Sequence, residues 1–454
     1  MASSTSAAKR SLTNITKDEI YRSQSLEQSL TPPETPPGSE GQGKIIHPWP
    51  EPDAEDDPTA KRRKVVLDDE EFEEFSVEHQ NVLLLHAPKQ RYAHTEKHPV
   101  PSIENDREML VAVDVVGLNP IDWKAPDFGW GLPALPCISG RDLAGRVVKT
   151  PTATSRFRRG DTVMAISTDY RDNRKAAYQQ YAIVSDFNAC RLPYHLSSEQ
   201  AAPLGVAFVA AALSLGICMG LDFGLSSNGI RGPNILQTVQ ALSRDALPKD
   251  IQAECFDSIK AGNGAKPGDW IVIWGGSSAS GCCAVQLAKL SGLKVIAIID
   301  VARNGERMLK FGADLLVDRH NEERAIEIVK SVTKGKLRFA LDTRGKESAK
   351  LLADAMQAER SEDESWAHLV GLTGLPKEFR NGVVYHSVPI KAFHEAPEVG
   401  EGLMVWLEKL LDQKLLITPD IEVAEGGLEG INAALDKLRD GTVNGPRIVV
   451  PISA

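Results

Sequence analysis

From Asp269 onward the chain repeats one pattern: a short, almost wholly apolar run ending in Gly or Asp, then a helical stretch, then another run. Trp270–Trp274 (WIVIW) ends in Gly275-Gly276 and precedes a helical stretch over 282–291. Residues 293–299 end in Asp300, and a further helical stretch leads to Ala313. Leu315–Asp318, Phe339–Asp342 and residues 368–371 supply three more runs, the first two separated by a helix over 321–333. A strand that is apolar at every position has both faces covered, and strands that alternate with helices are joined by parallel crossovers. The pattern predicts an α/β fold with a doubly wound parallel sheet. Coiled coil, collagen and small disulfide scaffolds are excluded by composition.

Upstream, the rhythm is different. Residues 82–85, 109–116, 143–148 and Thr162–Ile166 read as short strands set off by Gly, Pro and Asp turn chemistry, which predicts a small, partly closed β domain. Helical stretches at 403–414 and 428–439 and a terminal strand Arg447–Pro451 close the chain. Residues 201–221 carry no charge, long enough for a membrane span, but they contain Pro203, Gly205, Gly216 and Gly220 and lack basic flanks. They are expected to form a helix buried between domains. Residues 222–266 look like a polar insertion (Asn228, Gly229, Gly232, Pro233, Pro248) with no functional reading.

The first 75 residues are expected to be a disordered tail, rich in Pro and acidic residues and poor in large aliphatics. They hold nine Lys/Arg and sixteen Asp/Glu, a net of −7 out of the chain's −10, so the remaining 379 residues carry only −3. That near-neutral remainder gives no electrostatic reason to expect nucleic acid as a partner. The basic tetrad Lys61-Arg62-Arg63-Lys64 reads as a solvated charge cluster in preference to a nuclear import signal. Six cysteines without CxxC spacing, and no secretory leader in the sequence, point to a reducing, cytoplasmic setting without disulfides.

The chemistry-bearing motif is Trp274-Gly275-Gly276-Ser277-Ser278-Ala279-Ser280-Gly281 at a strand-to-helix junction. Small residues there let the backbone approach a pyrophosphate, which sits on the first N–H groups and the positive dipole end of the helix. The spacing is not a strict G-x-G-x-x-G, yet a strand before, a helix after and a second strand ending about twenty residues on are the dinucleotide-binding context. At the end of that second strand Asp300 suits a ribose 2′-hydroxyl and NADH, whereas Arg303 suits a 2′-phosphate and NADPH. Both readings stay open.

Several motifs occur in one order. They are Gly117-Leu118-Asn119-Pro120-Ile121-Asp122-Trp123-Lys124, Gly140-Arg141-Asp142-Leu143-Ala144-Gly145, Arg159-Gly160-Asp161, Ala177-Tyr178-Gln179-Gln180-Tyr181-Ala182, Gly427-Leu428-Glu429-Gly430-Ile431 and Gly445-Pro446-Arg447. With these the chain from about residue 80 to 454 resembles a medium-chain dehydrogenase/reductase. Within that superfamily it is most similar to the zinc-free quinone-oxidoreductase-like branch, and above all to the fungal trans-acting enoyl reductases that partner polyketide synthases. The zinc-dependent branch has Gly-His-Glu where this chain has Gly140-Arg141-Asp142. A guanidinium has no lone pair to donate, and no four-cysteine lobe is present, so no metal is expected at either family site.

The resemblance implies a GroES-like catalytic domain over 76–208, completed by 386–454, around a Rossmann domain over 209–385 that carries the 222–266 insertion. It implies NADPH as cofactor, with NADH left open, and Gly275, Gly276, Ser277, Ser278, Ala279, Ser280, Gly281, Asp300 and Arg303 as cofactor-binding residues. It places Lys124 and Asn119 on the loop facing the nicotinamide, Lys124 as a donor to a developing enolate or as a proton relay. Tyr178 and Tyr181 read as core. The departures are Val209, Ala210 and Ala211 where relatives place a ribose-contacting Thr, and Ser278, Ala279 and Ser280 where quinone reductases place Gly-Gly-Val. Three functions follow: an NADPH-dependent enoyl reductase acting on a small-molecule or carrier-bound enoyl substrate, a stand-alone enone or quinone reductase, or a non-catalytic dinucleotide-binding descendant. No membrane partner is expected.

Overall fold

The computed structural model describes residues 75–452 apart from 151–154, 170, 226–229, 261, 358–365 and 444. The expected disordered tail and the basic tetrad at 61–64 lie outside the described residues.

The N-terminal half is antiparallel. Strands β1 (His79–Leu85), β2 (Ala93–Pro99), β3 (Glu108–Gly117), β4 (Cys137–Ile138), β5 (Asp142–Lys149), β6 (Thr162–Ile166), β7 (Tyr181–Ser185) and β8 (Ala189–Arg191) follow in order. The three-stranded sheet runs β2-β1-β4, and β3, β5, β6 and β8 lie side by side in a larger one, with β7 on β3. The apolar faces of both sheets close over one core that includes Val82, Leu85, Met109, Val113, Leu143 and Val163.

The second half is the parallel sheet that the apolar runs require. Strands β9 (Trp270–Trp274), β10 (Lys294–Ile299), β11 (Leu315–Asp318), β12 (Phe339–Asp342), β13 (Ala367–Gly371) and β14 (Val383–His386) lie in the order β11-β10-β9-β12-β13-β14, and every pairing is parallel. The sequence order of the strands reverses between β9 and β12, the switch point at which such sheets open a crevice for ligand at their carboxyl ends. The chain then returns through the Pro397–Asp412 helix to β15 (Ile421–Val423), the Gly427–Arg439 helix and β16 (Arg447–Pro451). There β16 joins β3 antiparallel, pairing Val449 with Gly117 and Pro451 with Val115.

Several expectations change. Strands β2, β4, β7, β8, β14 and β15 are not evident in the sequence: β2 (AHTEKHP) is a polar edge strand, and β4, β8, β14 and β15 are only two to four residues long. The uncharged stretch at 201–221 is not one helix. It runs as a short helix Ser198–Ala201, a 3-10 turn Ala202–Leu204 at Pro203, an α-helix Gly205–Leu213 and a π-helical turn Ser214–Cys218. Nearly all of the apolar span Ser198–Cys218 is buried inside the fold. The insertion is less polar than its composition suggests, because its helices Ile235–Gln240 and Lys249–Phe256 place Ile235, Val239, Ile251 and Cys255 in the largest core.

Candidate active site

The backbone at Gly275 leaves β9 with φ of +79°, a conformation that favours glycine, and a Cβ there would lie 2.3 Å from Thr343 Oγ1. Ser278 caps the Ala279–Leu290 helix: its Oγ accepts from the Gly281 amide at 3.1 Å and donates to Thr343 Oγ1 at 2.9 Å. The Thr343 hydroxyl in turn donates to the Gly275 carbonyl at 2.9 Å. Gly281 packs so closely under the turn that a Cβ would stand 2.4 Å from the Gly275 oxygen. A Cβ on Gly276 would meet the Ala297 methyl at 3.1 Å. The amides of Ala279 and Ser280 belong to the first-turn donors that no intrahelical carbonyl can satisfy, so they point to a ligand or to water. Residues 275–281 thus fit a dinucleotide pyrophosphate, with serine capping in place of further glycines.

Arg307, on the Val301–Lys310 helix, donates to the Ser277 carbonyl at 3.3 Å and to the Gly445 carbonyl at 3.2 Å. It bridges the phosphate turn to the loop before β16. The sequence reading missed it because nothing in a helix full of charges distinguishes one arginine.

Asp300 and Arg303, which argue for different cofactors in the sequence, form one cluster. Asp300 caps the Val301–Lys310 helix, its carboxylate accepting from the Arg303 amide at 3.2 Å. The same carboxylate lies 3.6 Å from Arg303 Nε, 3.8 Å from His320 Nε2 and 4.0 Å from Arg319 Nη2. Asp300 is therefore enclosed and charge-compensated, while the Arg303 side chain is 67% exposed. Arg319 and His320 follow β11, and their contribution depends on sheet order, which no local motif records.

Across the crevice, the loop after β3 meets the start of β16. Arg447 Nη2 donates to the Leu118 carbonyl at 2.8 Å and to Asn119 Oδ1 at 2.7 Å. Asn119 Nδ2 donates to Asp142 Oδ2 at 2.9 Å, and Asp142 Oδ1 accepts from the Val206 amide at 2.8 Å, at the start of the Gly205–Leu213 helix. Asp122 Oδ2 accepts from the Asn119 amide at 2.8 Å and from the Tyr178 hydroxyl at 3.0 Å. Burial pushes Asp142 up to about 7, against the pull of Asn119, Val206 and Arg447. Burial raises Asp122 as well. Arg447, pressed toward deprotonation by burial, keeps its charge beside these two carboxyls and within electrostatic reach of Cys282 and Cys283 on the phosphate-turn helix.

Both polar ends of the Asn119 amide are thus engaged, which makes Asn119 a positioning residue in this network. Lys124 lies one turn on, in the Ile121–Phe128 helix, with its ammonium 5.6 Å from the centre of the Trp123 ring. No contact described here joins that ammonium to Asn119. Tyr178 is fully buried.

The fold and the glycine turn together fit an oxidoreductase that binds a nicotinamide dinucleotide. Two family models match the chain: the alcohol dehydrogenase GroES-like domain over residues 105–194 and the zinc-binding dehydrogenase over residues 279–372. These are the two parts of the medium-chain dehydrogenase/reductase pattern, which the chain resembles over the matched residues. It is 26% identical to a trans-enoyl reductase of Gibberella fujikuroi, over 76% of this chain and 92% of the relative. In fold it matches an alcohol dehydrogenase superfamily protein from Novosphingobium aromaticivorans (TM-score 0.61, 19% identity, 82% of this chain and 99% of that one). The quinone oxidoreductase of Escherichia coli, solved with NADPH, matches with TM-score 0.58 and 17% identity over 82% of this chain and 99% of that one.

A catalytic zinc does not fit these residues. Arg141 stands where the zinc-dependent branch has its histidine, and a guanidinium offers no lone pair. Among the described residues the two groups with metal-ligand spacing, Cys218–Glu254–His386 and Asp300–Asp318–His320, lie outside the Asn119–Asp142–Arg447 network.

Proposed function

We propose that the protein is a zinc-independent, NADPH-dependent enoyl reductase that delivers hydride to the β-carbon of an α,β-unsaturated thioester presented by a polyketide synthase. The observation that carries this reading is the buried Asn119–Asp142–Arg447 network after β3, which holds that loop with hydrogen bonds and a guanidinium and no metal-ligand set. The similarity to trans-enoyl reductases over most of the chain supports the thioester substrate and the synthase partner. The exposed Arg303, with Arg319 and His320 around a compensated Asp300, supports NADPH over NADH.

When bound, the dinucleotide supplies the hydride. This chain's residues do the rest. The 275–281 turn and the helix behind it hold the pyrophosphate. Asn119, fixed between Asp142 and Arg447, sets the loop that faces the substrate. The positive field of Arg447 favours negative charge developing nearby in a site of low dielectric. Lys124 donates to the enolate oxygen or relays the proton to the α-carbon. In this reading residues 76–208 and 386–454 make the catalytic domain around a dinucleotide domain over 209–385, in the cytoplasm.

The fold match to a quinone oxidoreductase favours a second reading, a free-standing reductase of quinones or small enones. Purified protein with NADPH, offered an enoyl N-acetylcysteamine thioester, a small enone and a benzoquinone, separates the two. The thioester is expected to turn over at least tenfold faster than the others. A faster quinone sinks the enoyl reading, and no turnover with any of the three leaves a non-catalytic dinucleotide binder.

A further inference from the structure

We propose that Cys218, Glu254 and His386 form a binding site for one zinc-type divalent cation, which ties the 222–266 insertion to the edge of the parallel sheet. The site is separate from the reductase site and from the positions where zinc-dependent relatives hold their metal. It does not depend on the reductase reading.

Three elements distant in sequence meet here. Cys218 ends the π-helical turn Ser214–Cys218, Glu254 lies on the Lys249–Phe256 helix of the insertion, and His386 is the last residue of β14. Their ligand atoms all lie within 4.8 Å of one another. The π-turn matters: a widened turn rotates the following side chain relative to an α-helical course, and such bulges concentrate at functional sites.

The donor set is a thiol, a carboxylate and an imidazole, the ligand types of zinc and its neighbours in the first transition row. A dication with one thiolate, one carboxylate and one neutral imidazole is electrically neutral, which suits a site where Cys218 and His386 are fully buried. Tetrahedral geometry with bonds of about 2.0–2.3 Å places ligand atoms roughly 3.4–3.8 Å apart, so side-chain movements of about 1 Å complete the cage. Glu254, 20% exposed in its side chain, is the member through which an ion enters.

The outer contacts are also those of a ligating histidine. His386 Nε2 lies 2.9 Å from His368 Nδ1, and His386 Nδ1 lies 2.9 Å from Glu254 Oε2. The proton between the two rings sits on either His386 Nε2 or His368 Nδ1, according to tautomer. With the proton on His386 Nε2, its Nδ1 presents a lone pair toward the Glu254 carboxylate, and two acceptors that close need a cation between them. A proton on Nδ1 also meets that need, which is why the experiment sets metal against proton. The Ser387 amide donates to Glu254 Oε1 at 3.0 Å and holds the carboxylate in place. Binding of a metal at Cys218 displaces the thiol proton.

The test uses the full chain, stripped of metal by dialysis against a chelator and titrated with Co²⁺ as a spectroscopic probe. One equivalent is expected to bind, with a thiolate-to-cobalt charge-transfer band in the near ultraviolet. Cys218→Ser should abolish the band. Glu254→Gln, on a half-exposed helix that tolerates the change, should weaken Co²⁺ binding at least tenfold while circular dichroism stays that of wild type. Absence of the band in the wild type at excess Co²⁺ overturns the site and leaves a proton-linked His–His–Glu chain. An unchanged band in Cys218→Ser overturns it equally, by assigning the thiolate elsewhere.

Discussion

Replacing Gly281 by alanine sets two well-known effects against each other. Alanine is the better helix former, and in an unobstructed helix the exchange stabilises by about 0.5–1 kcal/mol. At Gly281 the new Cβ would fall 2.4 Å from the Gly275 carbonyl oxygen and 2.8 Å from the Gly276 backbone. Those neighbours are backbone of the turn itself, so relief requires the turn to move by about 0.5–1 Å. Overpacking of this kind costs about 1–3 kcal/mol, with backbone obstruction toward the upper end. The net expectation is a loss of about 1–2 kcal/mol in urea unfolding with an unchanged m value. Displacement of the turn should also weaken NADPH binding about tenfold, read as a reduced thermal shift at fixed ligand concentration. Gly305→Ala, in the Val301–Lys310 helix, is the control. Its Cβ meets only the Leu316 and Val301 side chains, at 3.3 and 3.4 Å, which can yield. If Gly281→Ala matches Gly305→Ala in stability and binds NADPH like the wild type, the packing argument for the phosphate turn is wrong.

Arg303→Ala and Arg319→Ala should each weaken NADPH about tenfold or more while NADH holds, since a charged hydrogen bond contributes roughly 1.5–3 kcal/mol; equal losses for both cofactors would assign the ribose to Asp300. Asp142 binds its proton more tightly folded, at about 7, than unfolded, at its ordinary 3.8. Its contribution therefore falls as pH rises from about 4 to 7 and is flat above, and Asp142→Asn should flatten that part of the stability profile in denaturant titrations. Lys124→Ala should lower thioester turnover roughly a hundredfold with the NADPH dissociation constant unchanged, by analogy with loss of an oxyanion donor; a wild-type rate would return Lys124 to the surface. Metal-stripped Cys218→Ser protein should keep full reductase turnover, and a loss restored by added Zn²⁺ would contradict a metal-free hydride step.

Much of the fold is legible because the interior strands of the parallel sheet are buried on both faces, and Trp270–Trp274 and Phe339–Asp342 stand where their apolar runs place them. The edge strand Leu315–Asp318 and the terminal strand Arg447–Pro451 are short apolar runs that also fall where expected. Two other edge strands escape the same reading: β2 exposes polar residues, and β14 is only four residues long with one half-buried position on each face. The glycine turn was visible because its chemistry is local. Arg447, Arg307, Arg319 and Thr343 carry no local signal, because each reaches its partners through tertiary packing. Gly445-Pro446-Arg447 was visible as a motif, but only the pairing of β16 with β3 brings its arginine to Asn119.

That pairing also orders the folding of the molecule in time. The hydrogen bond from Arg447 to Leu118 joins residues 329 apart in sequence, whereas β9 and β10 pair residues such as Trp270 and Lys294 across one helix. Closing the longer loop costs about 2 kcal/mol more in chain entropy, and contacts of such separation form late. During synthesis the six-stranded sheet has all its strands once β14 has emerged, while β3 still awaits β16 from the last segment made. The nascent chain thus passes through a stage with a finished nucleotide fold and an open β3 edge, the stage at which strand capture by another chain is most favoured.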